Sequence, residues 1–337
     1  MEAEGGEARH ARLELPGGRR AGPHLPLGLG LLRIPERAAR VGASALQLFS
    51  DNPTAWHRRA ELPSELPAFR VRLAELDVSP LVLHAPYLVN LAGPIPELVE
   101  KSVDLLAHEL SIAPLYGARF VNVHAGSHRG TGVEAGVNRL VDGIEEVFGR
   151  AAASEPLDGK AGPARTGLTI ENSAGGGDTI GVTIEELAQI LEAAAARKLD
   201  ACLSFCLDTA HLWGAGYDVS NEAGVGALVT RIGSLLGRER IVMLHLNDSR
   251  TVRGSLLDRH EHIAAGEVGP DGMRELLTEP WLATLPAFLE TPGMDLGYDR
   301  INLERARMLI DGETPPGLPP EAFEVRSSRS RTAPPSS

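Results

Sequence analysis

The chain is poor in cysteine, with only Cys202 and Cys206 among 337 residues. Both fall in or beside one short apolar run, too poorly placed to cross-brace a fold, and reduced core residues are expected. No C-x-x-C pair exists from which to build a structural zinc site, so histidine and carboxylate remain as metal donors. No run approaches the roughly 18 apolar residues that span a bilayer, and MEAEGGEARHARLELPGGRR lacks the apolar stretch of a signal peptide. A cytoplasmic protein without membrane partners is expected. No G-x-G-x-x-G follows the first predicted strand, against a dinucleotide-binding sheet. Positive charge is in deficit too, with a formal net charge of −12. That balance argues at first against a nucleic-acid partner, since phosphate binding needs local positive potential.

What is present is a long alternation of two patterns. An apolar content of 43% over 337 residues can bury a substantial core. Residues 1 to about 20 carry Gly, Glu and Arg with no period and are expected to be a flexible extension. From Pro23 onward short apolar runs alternate with segments of helical spacing. Strands are expected at about 24–30, 46–49, 80–84, 119–124, 167–171, 203–208, 241–246 and 286–290. Helices are expected between them, over IPERAARVGA, Leu66 to Leu76, Pro96 to Tyr116, Val133 to Ala153, the run capped by Thr183, Asn221 to Leu236, Met273 to Thr278 and Asp299 to Leu309. A Gly/Pro-rich loop through Gly159 to Gly167 leads into the fifth strand. Eight such alternations predict one closed (β/α)8 TIM barrel over residues 21–312, with a doubly wound open sheet as the alternative. Residues 313–337, rich in Pro, Ser and Arg, are expected to be a disordered tail.

The polar residues sit where the strands end. SFCLDTAHLWGAGYD reads as a buried strand closing at Asp208, with His211 three residues on and Gly214 and Gly216 keeping the following loop supple. His84, His124, Glu171, His245 and Glu290 close other strands, and Asp258 and His260 follow in the loop DRHEH. Barrel closure delivers all strand C-termini to one face, so these nine side chains are expected to converge. Imidazole and carboxylate suit zinc, or manganese where carboxylate dominates. Nine donors are too many for one ion, whereas three ions sharing a bridging carboxylate would use them. Crowded carboxylates would otherwise repel one another, and three divalent ions would bring the formal charge to about −6 while concentrating the change in one cleft.

The segments HAPYLVN (84–90), VNVHAGSH (121–128), IENSAGG (170–176), LDTAHLWGAGYD (207–218), HLNDSR (245–250), DRHEHI (258–263) and LETP (289–292) resemble, in order, the motifs of the endonuclease IV family. The resemblance runs from about Gly22 to Gly312. It implies a TIM barrel whose trinuclear zinc cluster cuts double-stranded DNA on the 5′ side of an abasic site, leaving a 3′-hydroxyl and a 5′-deoxyribose phosphate. It further implies that His84, His124 and Glu171 hold one zinc, that Glu171 bridges to a second shared with Asp208, His245 and Glu290, and that His211, Asp258 and His260 hold the third. Such ions suit phosphodiester hydrolysis, and Glu171 is the candidate for orienting or deprotonating the attacking water. Tyr87 resembles the family tyrosine that enters the minor groove. Arg250, Arg253 and Arg259 would supply cations near phosphates, and a monomer is expected. Asn122, Asn172, Asn247 and Asp248 are candidate partners fixing the imidazole tautomers.

Two departures from the family pattern stand out. Thr54 stands at about the position of an arginine that enters the base stack, and Ala264 replaces a glycine after DRHEHI. Two other readings stay open: a metal-dependent sugar isomerase or epimerase on the same kind of barrel, and a lesion-binding protein that does not cleave.

Overall fold

The computed structural model describes residue 15 and residues 18–59, 61–153 and 166–324. Residues 1–14 of the expected extension, residues 325–337 of the expected tail and most of the Gly159 to Gly167 loop lie outside the described residues. The strands of the barrel are β1 (Ala21–Leu25), β2 (Leu46–Leu48), β3 (Leu81–His84), β4 (Phe120–His124), β5 (Gly167–Glu171), β6 (Leu203–Asp208) and β7 (Ile241–His245). After them come the short β8 (Asp248–Ser249) and β9 (His260–Glu261), an antiparallel pair outside the barrel, and then β10 (Ala287–Leu289). β10 pairs with both β7 and β1, which closes an all-parallel ring of eight. The predicted TIM barrel is therefore the observed fold.

Helices α1 (Arg33–Arg40), α2 (Leu66–Glu75), α3 (Pro96–Tyr116), α4 (Val133–Ala153), α5 (Ile184–Ala196), α7 (Glu222–Leu235) and α8 (Gly269–Thr278) connect successive barrel strands, and α9 (Tyr298–Ile310) follows β10. Their ends follow local chemistry. Thr183 Oγ1 accepts from Glu186 N at 3.1 Å, and the Glu186 carboxylate turns back to Val182 N at 3.0 Å, so two amides at the start of α5 are satisfied. α3 has Pro96 in its first turn and stops at Gly117, whose φ of 79° suits glycine.

Side chains alternate between the two faces of a strand, and here that alternation builds the interior. The outward set packs with the helices into one large apolar core. A second buried cluster consists of Ala45, Val82, Cys206, Met243 and Phe288. These residues stand two positions before Gln47, His84, Asp208, His245 and Glu290, so they share their strands' inward face. An apolar plug therefore lies directly beneath a polar ring. Burying each of its larger side chains stabilises the fold by roughly 1.5–3 kcal/mol.

Several expectations need correction. The first strand spans Ala21–Leu25, not 24–30, because Pro26 has no N–H for the ladder and opens a 3-10 turn over Leu27–Leu29. The expected extension is already docked at Arg19, which is buried with its guanidinium on the carbonyls of Leu277, Leu282 and Leu285. The expected tail begins inside the fold. Arg305 Nη1 donates to Pro316 O at 2.6 Å, and α10 (Pro320–Glu324) buries Ala322, whose carbonyl accepts from His262 Nε2 at 3.1 Å. The supple loop after Asp208 is instead the short helix α6 (Thr209–Gly214), buried along its whole length. Both cysteines are free, as expected, but only Cys206 is core; Cys202 is exposed. Among the described residues no helix is long and apolar enough to cross a membrane.

β1 and β2 approach closely at Gly22, where an added Cβ would sit 1.7 Å from the Ala45 carbonyl oxygen. Gly22→Ala must push these strands apart, and a loss of about 1–3 kcal/mol is expected in urea denaturation. An unchanged unfolding midpoint would show that the seam is not tightly held.

Candidate metal centre

Every barrel strand contributes to the polar ring. His24 comes from β1, Gln47 from β2, His84 from β3, Asn122 and His124 from β4, Glu171 from β5, Asp208 from β6, His245 from β7 and Glu290 from the residue after β10. Cross-strand register sets neighbours side by side, His124 against Glu171 and Asp208 against His245. His211 is added by α6 and His260 by β9, while Asp258 lies in the loop between β8 and β9.

All nine predicted donors meet in one cleft. Glu171, fully buried, stands at the centre: its Oε2 lies 3.5 Å from both His84 Nε2 and His124 Nε2. Its Oε1 lies 3.2 Å from His211 Nδ1 and 3.3 Å from His245 Nδ1. Glu290 Oε2 is 3.5 Å from His245 Nδ1, and Asp208 Oδ2 is 3.4 Å from His260 Nε2. Asp258 Oδ1 is 3.3 Å from His211 Nε2 and 3.2 Å from His260 Nε2. Donor atoms within 4.8 Å of one another form three groups: His84 with His124 and Glu171; Glu171 with Asp208, His245 and Glu290; and Asp208 with His211 and His260. The third group differs from expectation in containing Asp208, with Asp258 beside it. Asp208 can serve both sides because its Oδ1 caps α6 on His211 N at 2.8 Å, which leaves Oδ2 facing the cleft.

The imidazoles are oriented mainly by backbone. His84 Nδ1 donates to Ala85 O at 2.7 Å, His211 Nδ1 to Asn172 O at 2.9 Å and His260 Nδ1 to Glu290 O at 3.1 Å. Each then presents Nε2 to the cleft. The expectation that Asn122, Asn172, Asn247 and Asp248 side chains do this work is wrong. Asn122 Nδ2 donates to Glu171 Oε2 at 2.7 Å and Asn247 Nδ2 to Asp208 Oδ2 at 2.8 Å, so these amides hold carboxylates. Asn172 Oδ1 accepts from Asp208 N at 2.7 Å, while only its backbone oxygen meets an imidazole. Asp248 is buried and accepts from the amides of Ser249, Gly266, Val268 and Gly269, bracing the entry to α8. Carbonyls left without ladder partners at strand exits are available to the rings, which explains the reversal.

Two contributors carry no strand-exit signal. His24 Nδ1 donates to Glu290 Oε1 at 2.8 Å, and Gln47 Nε2 donates to the same oxygen at 2.9 Å. His24 lies inside a strand whose predicted span was displaced, and neutral Gln47 is not a metal-ligand type. Around the ring, Tyr87 is half-buried, its ring 5.6 Å from His84 and 6.1 Å from His124 between centroids. It borders a cleft of about 570 Å³ that also meets Thr54, Arg129, Leu256 and Asp258. The three predicted arginines are engaged within the protein. Arg250 Nε lies 3.0 Å from Glu261 Oε2, Arg253 Nη1 2.6 Å from Asp218 Oδ2, and Arg259 Nη1 donates to Asp258 O at 2.9 Å.

The donor set fits divalent cations on its own chemistry. His84 Nε2, His211 Nε2, His245 Nδ1, His260 Nε2 and Glu171 Oε1 are buried with no hydrogen-bond partner. Leaving such an atom unpaired costs about 1–3 kcal/mol, and all five face the same cleft. Burial alone would raise Glu171, yet the charges of His245 and His124 and the close approach of His211 and His245 hold it well below the usual carboxylate range. Burial likewise opposes charge on His211, but Asp208, Asp258 and Glu171 carry it well above its ordinary value. Burial is also outweighed at His260, pushed up to about 9 by Asp208 and Asp258. Without metal, protons are the cations that offset the carboxylates.

That compensation has a sign that can be measured. His260 is raised above its ordinary 6.5, so its stabilising contribution is fully present below 6.5 and lost as pH rises through about 9. Chelator-treated protein should therefore show a thermal midpoint that falls between pH 6.5 and 9, whereas zinc-replete protein should change less. A flat profile for the chelated protein would count against ion pairing in the cleft.

The signature of the family described as xylose isomerase-like TIM barrel matches residues 35–311. A probable endonuclease 4 from Halothermothrix orenii is 36% identical over 291 residues, covering 85% of this chain and 99% of that protein. The crystal structure of endonuclease IV from Thermus thermophilus superposes with a TM-score of 0.73 at 34% identity, covering 87% of this chain and 99% of that one. A D-tagatose 3-epimerase-like protein shares the fold alone, with a TM-score of 0.57 at 14% identity over 82% of this chain and 90% of its own. With nine buried or half-buried imidazoles and carboxylates meeting at the mouth of this barrel, the chain belongs to the endonuclease IV family.

Proposed function

We propose that this chain is a DNA-repair endonuclease that hydrolyses the phosphodiester bond 5′ to an abasic site in double-stranded DNA, using three zinc ions. The observation that carries the reading is the convergence of unpaired buried nitrogens and one carboxylate oxygen on a single cleft at the barrel mouth. His84, His124 and Glu171 would hold one ion, Glu171, Asp208, His245 and Glu290 a second, and His211, Asp258 and His260 the third, with Asp208 adjoining. Bound divalent ions supply Lewis acidity for phosphoryl transfer. Glu171, held well below the usual carboxylate range, stays ionised at neutral pH. Its Oε2 is tied by Asn122, so Oε1 is the atom positioned to accept a hydrogen bond from an attacking water. So low a basicity makes orienting that water the larger part of the role. Tyr87, on the rim, offers a flat apolar face to the gap left by a missing base. Arg253 is 46% exposed at its side chain, so a phosphate can compete for it with Asp218.

Purified zinc-replete protein should nick an abasic-site duplex and leave an intact duplex whole. Binding without nicking would identify a lesion-binding protein instead. Glu171→Gln should abolish nicking while the circular-dichroism spectrum is unchanged, and residual activity near that of the parent would remove Glu171 from the reaction. Tyr87→Ala should weaken lesion binding, read by fluorescence anisotropy, and leave metal content as it was. Loss of zinc in that variant would mean that the ring supports the ligands it abuts.

A further inference from the structure

His84, His211 and His260 each bond a backbone carbonyl through Nδ1 and leave Nε2 in the cleft without a hydrogen-bond partner. His245 differs from them in both respects. It turns Nδ1 inward, 3.3 Å from Glu171 Oε1 and 3.5 Å from Glu290 Oε2, and its outer nitrogen Nε2 donates to a side chain, Gln47 Oε1, at 3.0 Å. The other end of the same amide donates from Nε2 to Glu290 Oε1 at 2.9 Å. The Glu290 carboxylate can only accept, so the amide turns its nitrogen that way, where it also lies 3.1 Å from His24 Nδ1, and leaves its oxygen to His245. Gln47 is fully buried, so no water competes for either bond.

We propose that Gln47 is a positioning residue of the metal centre: one amide fixes the tautomer of His245 so that Nδ1 is the free donor, and turns Glu290 so that Oε2 alone faces the cleft. The proposal rests on the metal-centre reading above. Its physical content is that two donors for one ion are set by a single non-ligand side chain from β2, a strand that supplies no ligand itself. His24 shares the hold on Glu290 Oε1, and Gln47 is the side chain that bonds both Glu290 and His245. Glu290 follows β10 and His245 ends β7, two strands paired in register, so the ladder places their backbones and this bridge orients their side chains. Outer partners of this kind typically set metal affinity by about 10- to 100-fold.

Gln47→Met keeps the volume and removes both hydrogen bonds. In the full chain loaded with zinc, challenge by a chromogenic chelator should release one ion equivalent at least about tenfold faster from this variant than from the parent. The remaining zinc should leave at the parental rate. Equal release of all ions from both proteins would overturn the proposal. Should Gln47→Met fail to fold, nitrogen-15 spectra of the histidine-labelled, zinc-loaded parent decide the matter alone. One coordinating imidazole should carry its proton on Nε2 while the others carry theirs on Nδ1, and a uniform Nδ1–H pattern would overturn the proposal. A parent chain that takes up no zinc would instead overturn the metal-centre reading, a failure distinguishable from that of Gln47.

Discussion

The constraint on which this structure depends is the two-residue repeat of a parallel strand inside a closed ring. Once the ring closes, each inward position belongs to a layer, and moving one residue along a strand would turn its entire inward set outward. Val82, Cys206, Met243 and Phe288 fill the layer beneath His84, Asp208, His245 and Glu290. The apolar layer does two things at once. It supplies packing at the centre of the barrel, and it keeps water from reaching the polar ring from below, so charges in that ring interact in a low-dielectric surrounding.

Within that surrounding, the chemistry is governed by compensation of charge. Glu171, Asp208 and Glu290 are buried carboxylates within a few ångströms of one another's partners, an arrangement that cannot persist without positive charge beside it. His211, His245 and His260, all raised, supply it as protons when nothing else is bound, and imidazoles present lone pairs when a cation replaces those protons. A chain with a formal charge of −12 can thus carry a local concentration of positive charge at one mouth, the place where an anionic backbone would have to approach. The asparagines make this possible by holding the carboxylates still, while strand-exit carbonyls hold the rings.

The donors outside the strands depend on a different kind of support. His260 and Asp258 belong to a loop and a two-residue pairing, which alone would be mobile. They are fixed from behind by α9. Asn302 bonds Ile263 N, His262 Nδ1 and Thr291 Oγ1, so the residues after His260 and Glu290 are tied to one side chain. Arg305 donates to the carbonyls of Ile263, Ala264 and Pro316. Ala264, which departs from the family glycine, adopts a φ of 58°, and the Arg305 contact to its carbonyl is part of what holds that turn. The C-terminal segment through α10 then closes over His262, which explains why it is folded and not a loose tail.

The sequence by itself determined the barrel and marked the nine side chains that gather at its mouth, because both are written in local terms. A strand announces itself by an apolar run of a few residues, a helix by its spacing and caps, and a donor by its type at a strand exit; none of these needs knowledge of the partner. Asp208 could even be seen as either cap or ligand, and it is placed to be both. What only the tertiary structure decided are relations between distant positions. Gln47 meets His245 and Glu290 across 198 and 243 residues of chain, and nothing near Gln47 in sequence distinguishes it from any polar residue in a strand. The same holds for Arg19 on the carbonyls before β10 and for Ala322 over His262. Hydrogen bonds to backbone oxygens leave no residue-type signature at the accepting end, so which ring faces which carbonyl emerges only when the barrel has closed.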